Sequence, residues 1–283
     1  MAFIVGIIYF KDSKLMNLDS SFKLLIFLLT IFFSTFAIGE NKIIIASTTS
    51  TYDTGLLNLL NEEFYKKYEV RVQVLSLGTG QAIRTAKDGN AEILLVHHKP
   101  SEIEFMNDGY GIERHEIMYN DYVLVGPKND NDLCKSVQQK LEQIYINQYL
   151  FISRGDDSGT HRKELEMWDL TNIKVNRNKN WYLSVGQGMG STLLIANEKK
   201  AYTLSDRSTW IAFNNRQNLK IVCEDFPPLF NQYGIILVNA ELNKNLNYKD
   251  AKKYIEWFKT AEVKKLINNF KVKGKQLFYY NYN

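Results

Sequence analysis

The stretch KIIIASTTSTYDTGLLNLLNEEFYKKYEVRVQVLSLGTGQAIRTAKDGNAEILLV (42–96) decides the fold. Lys42–Ala46 is a short apolar run that reads as a buried strand. Over Thr54–Tyr68 the residues Leu56, Leu60, Phe64 and Tyr68 fall at steps of four, which places them on one face of a helix. Arg71–Leu77 alternates Val72 and Val74 with polar neighbours and predicts a second strand. Gln81–Asp88 is a short helix, and Ile93–Val96 a third strand. Parallel strands need crossovers of this kind, so βαβαβ opens an open α/β domain.

Outward from that unit the pattern repeats. Tyr122–Val125 is an apolar run closed by Gly126-Pro127. Beyond it come a strand at Phe151–Ser153, a helix at Thr160–Asp169, another at Ser191–Lys199 and a strand-like run at Ala201–Leu204. Tyr233–Val238 (YGIILV) is the last strong strand, followed by helices in which Tyr248, Ala251, Tyr254, Ile255 and Phe258 share a face. Two comparable lobes suit this length better than one large sheet. The expected division is 41–125 for the first lobe, 126–232 for the second and 233–283 as a return to the first, with crossings near Val125–Pro127 and Gln232–Tyr233.

Of 283 residues, 45% are hydrophobic and 23% charged, which makes the chain globular rather than disordered. A formal charge of +4, evenly spread, gives no footprint for nucleic acid or an anionic membrane. At the N-terminus, Lys23 precedes an apolar run (24–33) and small residues ending at Ala37, the order of a secretory signal over 1–37. The uncharged run is short for a bilayer span of roughly 20 residues. A permanent anchor is the competing reading, and Met16 competes with Met1 as the start. Cleavage after Ala37 leaves about 246 residues, exported and nearly neutral. Cys134 and Cys223 would then meet an oxidising compartment, where a bridge and two buried thiols both stay open.

Hydroxyls and glycines fall where strands give way to helices. The first strand ends in Ser47-Thr48-Thr49-Ser50-Thr51, the second in Gly78-Thr79-Gly80. Phe151–Ser153 leads into Arg154-Gly155-Asp156-Asp157-Ser158-Gly159-Thr160-His161, and Gly186-Gln187-Gly188-Met189-Gly190-Ser191 opens the helix at 191. In open α/β sheets, ligands bind at the C-terminal ends of strands. Helix N-termini offer unpaired N–H groups and a positive dipole end, which favour an anion. Hydroxyls add donors, and Arg154 adds the fixed positive charge of these loops. Any one such loop is more often a helix cap; it is the fourfold coincidence that points to an oxyanion. Asp53, Asp156 and Asp157 read as caps or as orienters of Arg154. Neither GxGxxG nor GxxxxGK[ST] occurs, which disfavours a nucleotide.

RGDDSGTH (154–161) resembles the R-x-D-x-S-G-T stretch of periplasmic phosphate-binding proteins. The chain is more closely similar to the tungstate-binding proteins of ABC transporters, through ASTTST (46–51), DTGLL (53–57), GTGQA (78–82), LLVHH (94–98), MYNDYVLVGP (118–127), SRGDDSGTHRKE (153–164), GQGMGSTL (186–193), ANEKKAYTLSDR (196–207) and Asn231-x-Tyr233. Where families of this kind usually carry Thr, this chain has Ser47, and the hydroxyl is kept. The resemblance implies a two-lobed α/β periplasmic binding protein fold of class II, each lobe an open mixed sheet flanked by helices, with two crossover segments. It implies a monomeric solute-binding protein, not an enzyme, that closes on tungstate and hands it to a membrane permease, with no cofactor and no metal site. The contacts it implies are Thr48, Thr49, Thr79, Arg154, Ser158, Thr160 and the backbone at Met189–Gly190.

Physical chemistry narrows the anion. Phosphate near neutral pH carries a proton and is best held beside a carboxylate acceptor, whereas tungstate, molybdate and sulfate want donors only. A donor-only pocket therefore favours tungstate-type ligands, and an inward-facing Asp53, Asp156 or Asp157 would favour phosphate. Molybdate is nearly the size of tungstate, so the resemblance alone selects between them. A secreted hydrolase using Ser158 and His161 lacks a third group to orient the base. His97-His98 on an extended segment point to opposite sides and do not share a metal. The effector domain of a regulator is disfavoured by the export signal and by the lack of a helix-turn-helix segment.

Overall fold

The computed structural model of the chain describes residues 41–282, apart from 176–178 and 225–226. The expected export signal, 1–37, lies outside the described residues. In the first lobe β1 (Lys42–Thr48), β2 (Arg71–Leu77) and β3 (Ile93–Val96) run parallel, with Thr48 opposite Leu77 and Ile45 opposite Ile93. The sheet continues through antiparallel β9 (Phe230–Val238), β4 (Gly111–Pro127) and β10 (Tyr279–Tyr280), giving the order β2-β1-β3-β9-β4-β10. Successive strand residues feed two opposite cores. Ile43, Ile45, Ile93 and Leu95 pack with Leu60 and Phe64 of α2 (Leu56–Tyr68), with Tyr254 and Trp257 of α9 (Tyr248–Phe258) and with Ile267 of α10 (Ala261–Asn269). Ala46, Leu94 and Val96 pack with Ala82 and Ala86 of α3 (Thr79–Lys87) and Phe105 of α4 (Lys99–Asn107).

The second lobe is built the same way. The far half of β4 pairs with β7 (Thr203–Asp206) and β8 (Leu219–Cys223), while β5 (Phe151–Ser153) pairs in parallel with β6 (Tyr182–Ser184). One core holds Val123, Val125, Ile152, Met189 and Leu193; the other holds Tyr122, Leu124, Phe151, Trp168, Trp181 and Tyr182. Their helices are α5 (Val137–Ile146), α6 (Gly159–Asp169), α7 (Met189–Lys199) and α8 (Arg207–Ala212). Each fully buried Leu, Ile or Phe contributes about 1.5–3 kcal/mol, so each lobe has a core of its own. Cys134 and Cys223 form a disulfide with a Cα separation of 5.3 Å, which ties the chain ahead of α5 to β8. No helix among the described residues is long and apolar enough to cross a membrane.

Three expectations need correction. The helix expected over Thr54–Tyr68 is α2, which starts two residues later because Gly55 takes φ +84 and caps it, and a short α1 (Thr49–Asp53) forms ahead of it from the run of hydroxyl residues. The strand expected at Tyr122–Val125 is a single strand of 17 residues, Gly111–Pro127. The crossings fall at 121–122 and 229–230 rather than near Val125–Pro127 and Gln232–Tyr233. Asp121 still faces Phe230 in the first sheet, Tyr122 already faces Asp206 in the second, and the Tyr122 N–H donates to the Leu229 carbonyl at 2.8 Å. The second lobe is therefore 122–229. Gly126-Pro127 ends the strand, and the change of sheet happens inside it without a break.

Candidate anion-binding site

Helices α3, α6 and α7 begin one or two residues earlier than the apolar pattern suggests, at Thr79, Gly159 and Met189. The loop residues thereby become cap and first-turn residues. At the end of β1, Thr48 is extended and buried, and its Oγ1 lies 2.7 Å from Thr51 Oγ1. Thr49, in the first turn of α1, is half-buried. The β1–β2 register puts Gly78-Thr79 alongside, and Thr79 is fully buried with no hydrogen-bond partner for its Oγ1 among the described residues.

In the second lobe Arg154 follows β5, its side chain only 4% exposed. Its Nη2 donates to Asp156 Oδ2 at 2.6 Å, and Asp156 Oδ1 accepts from the Ser158 N–H at 3.3 Å. Ser158 Oγ in turn accepts from the His161 N–H at 3.2 Å, which caps α6 and leaves the hydroxyl proton to donate elsewhere. Arg154 Nε and Thr160 Oγ1 are buried without a partner among the described residues. The loop before α7 is sewn to this one: Val185 N–H donates to the Ser153 carbonyl at 3.0 Å, and Gln187 N–H to the Arg154 carbonyl at 3.3 Å. Met189 is buried and Gly190 exposed in the first turn of α7.

The lobes meet over these loops. Gly80 N–H donates to the Asp157 carbonyl at 3.3 Å, which sets Thr79 against the turn between Arg154 and Thr160. Arg162 Nε donates to Asp157 Oδ1 at 2.9 Å and Arg162 also reaches Ser101, while Arg84 Nη1 stands 3.8 Å from Asp157 Oδ2. His98 Nδ1 accepts from the Ser101 N–H, so its Nε2 carries the proton donated to Glu166 Oε1 at 3.0 Å. Thr48, Thr79, Arg154, Ser158 and Thr160 thus come to one end of facing sheets. Thr49 and Gly190 are less enclosed at its margin. The contacts across the cleft (Asp157, Arg162, Ser101, His98 and Glu166) have no local sequence signal, because each needs its partner from the other lobe.

Two further hydroxyls belong to this end of the strands. Ser47, late in β1, and Ser153, the last residue of β5, are fully buried and their Oγ atoms have no partner among the described residues. Their signal in the sequence was position, a polar residue where an otherwise apolar strand gives way to its loop. A buried polar group left unpaired costs about 1–3 kcal/mol, and a charged one more. Five such atoms at one end of two sheets fit a ligand rich in acceptors. Three of the nearby carboxylates are occupied. Asp156 serves Arg154 and Ser158, Asp157 serves Arg162, and buried Asp206 accepts from Ser208 Oγ and from the N–H and Oγ1 of Thr209. Asp53, exposed at the end of α1, has its carboxyl pushed up by partial burial and by Asp206, with Arg154 opposing.

His161 Nδ1 accepts from the Asp157 N–H at 3.2 Å, and Ser158 is engaged by the His161 backbone, so the pair has the geometry of a cap. His97 turns into the interior, with Nδ1 2.8 Å from Tyr122 Oη, whereas His98 turns to Ser101 and Glu166. The two rings thus turn to different partners.

A family model described as a PBP superfamily domain matches residues 35–262. The chain is 43% identical over 237 residues to the tungstate-binding protein TupA of Peptoclostridium acidaminophilum, an alignment that covers 82% of each chain. It superposes on the tungstate-binding protein TupA from Desulfovibrio alaskensis G20 with a TM-score of 0.75 at 35% identity, covering 86% of this chain and all of that one. The tungstate ABC transporter structure from Geobacter sulfurreducens gives a TM-score of 0.74 at 40% identity over 82% of this chain and 99% of the other.

Proposed function

Since the chain belongs to the PBP superfamily and, within it, to the family of the TupA tungstate-binding proteins, we propose that it captures tungstate as an oxyanion between its lobes and delivers it to an ABC-transporter permease. One observation carries this reading: buried donors without a partner among the described residues, Thr79 Oγ1 on one lobe and Arg154 Nε and Thr160 Oγ1 on the other, beside carboxylates of which Asp156 is paired with Arg154, Asp157 with Arg162 and Asp206 with Thr209. Such a pocket suits an unprotonated dianion. Thr48, Thr49, Thr79, Arg154, Ser158 and Thr160, with the backbone at Met189–Gly190, form the contact set. The N-termini of α3, α6 and α7 add the positive ends of their dipoles.

The protein acts as an exported monomer, needs no cofactor and catalyses no reaction. Supporting export are the signal-like order of 24–37 and the Cys134–Cys223 bond, which belongs to an oxidising compartment. The anion bridges the lobes and so shifts open molecules to closed ones. Isothermal titration of the mature protein with tungstate, molybdate, sulfate and phosphate is the test. Tungstate and molybdate are expected to bind far more tightly than sulfate or phosphate, and a phosphate-first ranking overturns the proposal.

A further inference from the structure

Behind the cleft, where the crossing strands pass between lobes, lies a buried polar network centred on His97, which follows β3 and is 5% exposed. Its Nδ1 is 2.8 Å from Tyr122 Oη and 3.0 Å from Asn231 Oδ1. The Asn231 amide is oriented by its other bonds, since Nδ2 donates to Asn120 Oδ1 at 2.6 Å and to Tyr233 Oη at 3.2 Å. Its Oδ1 is therefore an acceptor, and His97 Nδ1 must carry the proton. Tyr233 is also hydrogen-bonded to Thr51, and Thr51 to Thr48 at 2.7 Å, so the network reaches the first anion loop. The His97 ring packs on that of Tyr233 with centroids 4.9 Å apart.

On its other side the ring meets the second lobe. A Cβ added at Gly159 would stand 2.5 Å from His97 Cε1, 2.9 Å from Nδ1 and 3.0 Å from Nε2. Gly159 is the residue between Ser158 and Thr160, and only a glycine there lets the turn rest directly on the imidazole. A single side chain of the first lobe is thus in contact with the third anion loop and hydrogen-bonded, through Asn231, Tyr233 and Thr51, to the first.

We propose that His97 is a positioning residue for anion capture: its ring seats the Ser158–Gly159–Thr160 turn on the crossing strands, and its Nδ1–H fixes that seat relative to Thr48, so that the donors of both lobes close at one spacing. The inference rests on the oxyanion reading of the site. Four proteins test it by calorimetric titration with sodium tungstate: wild type, Gly159→Ala, His97→Ser and the double variant. Gly159→Ala alone is expected to weaken binding about tenfold, the equilibrium equivalent of forcing one methyl into a filled space. In the His97→Ser background the same methyl enters the space the ring has left, so the double variant binds no more weakly than His97→Ser. A Gly159→Ala penalty that persists undiminished without the ring, or that never occurs, overturns the proposal. Should Gly159→Ala not fold, His97→Ser alone decides. Faster tungstate dissociation from the folded protein supports positioning, and a lower Tm with unchanged Kd refutes it. Failure of the wild type to bind any oxyanion would instead remove the proposed function.

Discussion

Arg154→Leu is the most direct perturbation of the proposed site. In the native loop the guanidinium is 96% enclosed, spends Nη2 on Asp156 at 2.6 Å and keeps Nε without a partner among the described residues. Leucine fills much of the same space but removes one charge-assisted bond to the anion, worth about 1.5–3 kcal/mol. It also strips Asp156 of its cation beside an incoming dianion. The stranded carboxylate, 19% exposed, then repels the dianion on binding and brings the loss to the upper end of that range. A loss of about 3 kcal/mol is a Kd raised somewhat more than about a hundredfold. Titration calorimetry with tungstate at constant ionic strength measures it, with circular dichroism melts to establish that the variant is folded. Adding Asp156→Asn should recover part of the loss, because the stranded carboxylate is gone. Arg154→Lys should recover little, since a point charge cannot serve Asp156 and the anion together. A folded Arg154→Leu protein that binds tungstate within about threefold of wild type would refute the assignment.

Thr79→Val and Thr160→Val each remove a buried hydroxyl that lacks a partner among the described residues. Each should weaken tungstate binding by about 0.5–1.5 kcal/mol while leaving the ligand-free Tm unchanged or higher, which thermal melts with and without tungstate will separate. Reduction of Cys134–Cys223, which closes a loop of sequence separation 89, should cost about 4–5 kcal/mol in urea unfolding. Because neither cysteine lies in an anion loop, titration of the reduced protein should give the same Kd. Burial lowers the His97 pKa from 6.5 to about 4, so below pH 6.5 the unfolded chain takes up a proton that the native state refuses. Stability from this group is complete above pH 6.5 and falls as pH drops towards 4, by about 3 kcal/mol. Urea melts at pH 7.5 and 5 should therefore show a smaller loss for His97→Gln than for wild type, and equal losses would contradict the buried neutral imidazole.

Local patterning carried far into this fold. The βαβαβ start follows from the apolar run of Lys42–Ala46, the four-residue steps after Leu56 and the run of Ile93–Val96, because each element draws its burial from its own periodicity. The four loops were legible for the same reason, hydroxyls and glycines standing where apolar runs stop. What stayed hidden depends on partners distant in sequence. The first half of β4 contains Glu113-Arg114-His115-Glu116, which offers no apolar run, yet Arg114 pairs with buried Glu102 of α4 at 2.7 Å and with Glu116 at 3.4 Å. Gly55 was visible as a glycine but not as a left-handed one. For His97 and His98 only their opposite directions were legible, since what His97 touches, Gly159, comes from the opposite lobe.

The crossings have a topological consequence. Chain enters the second lobe at Tyr122 and leaves at Leu229, and these two residues are already joined by a backbone hydrogen bond of 2.8 Å. The second lobe is thus an insert whose ends are stitched together, hung from two neighbouring strands of a sheet that is otherwise continuous. Such an insert can be exchanged between relatives as a cassette, because replacing it leaves the termini, the sheet order and the first two anion loops of its host where they were. New specificity in this architecture is open to recombination at two adjacent points, as well as to substitution residue by residue.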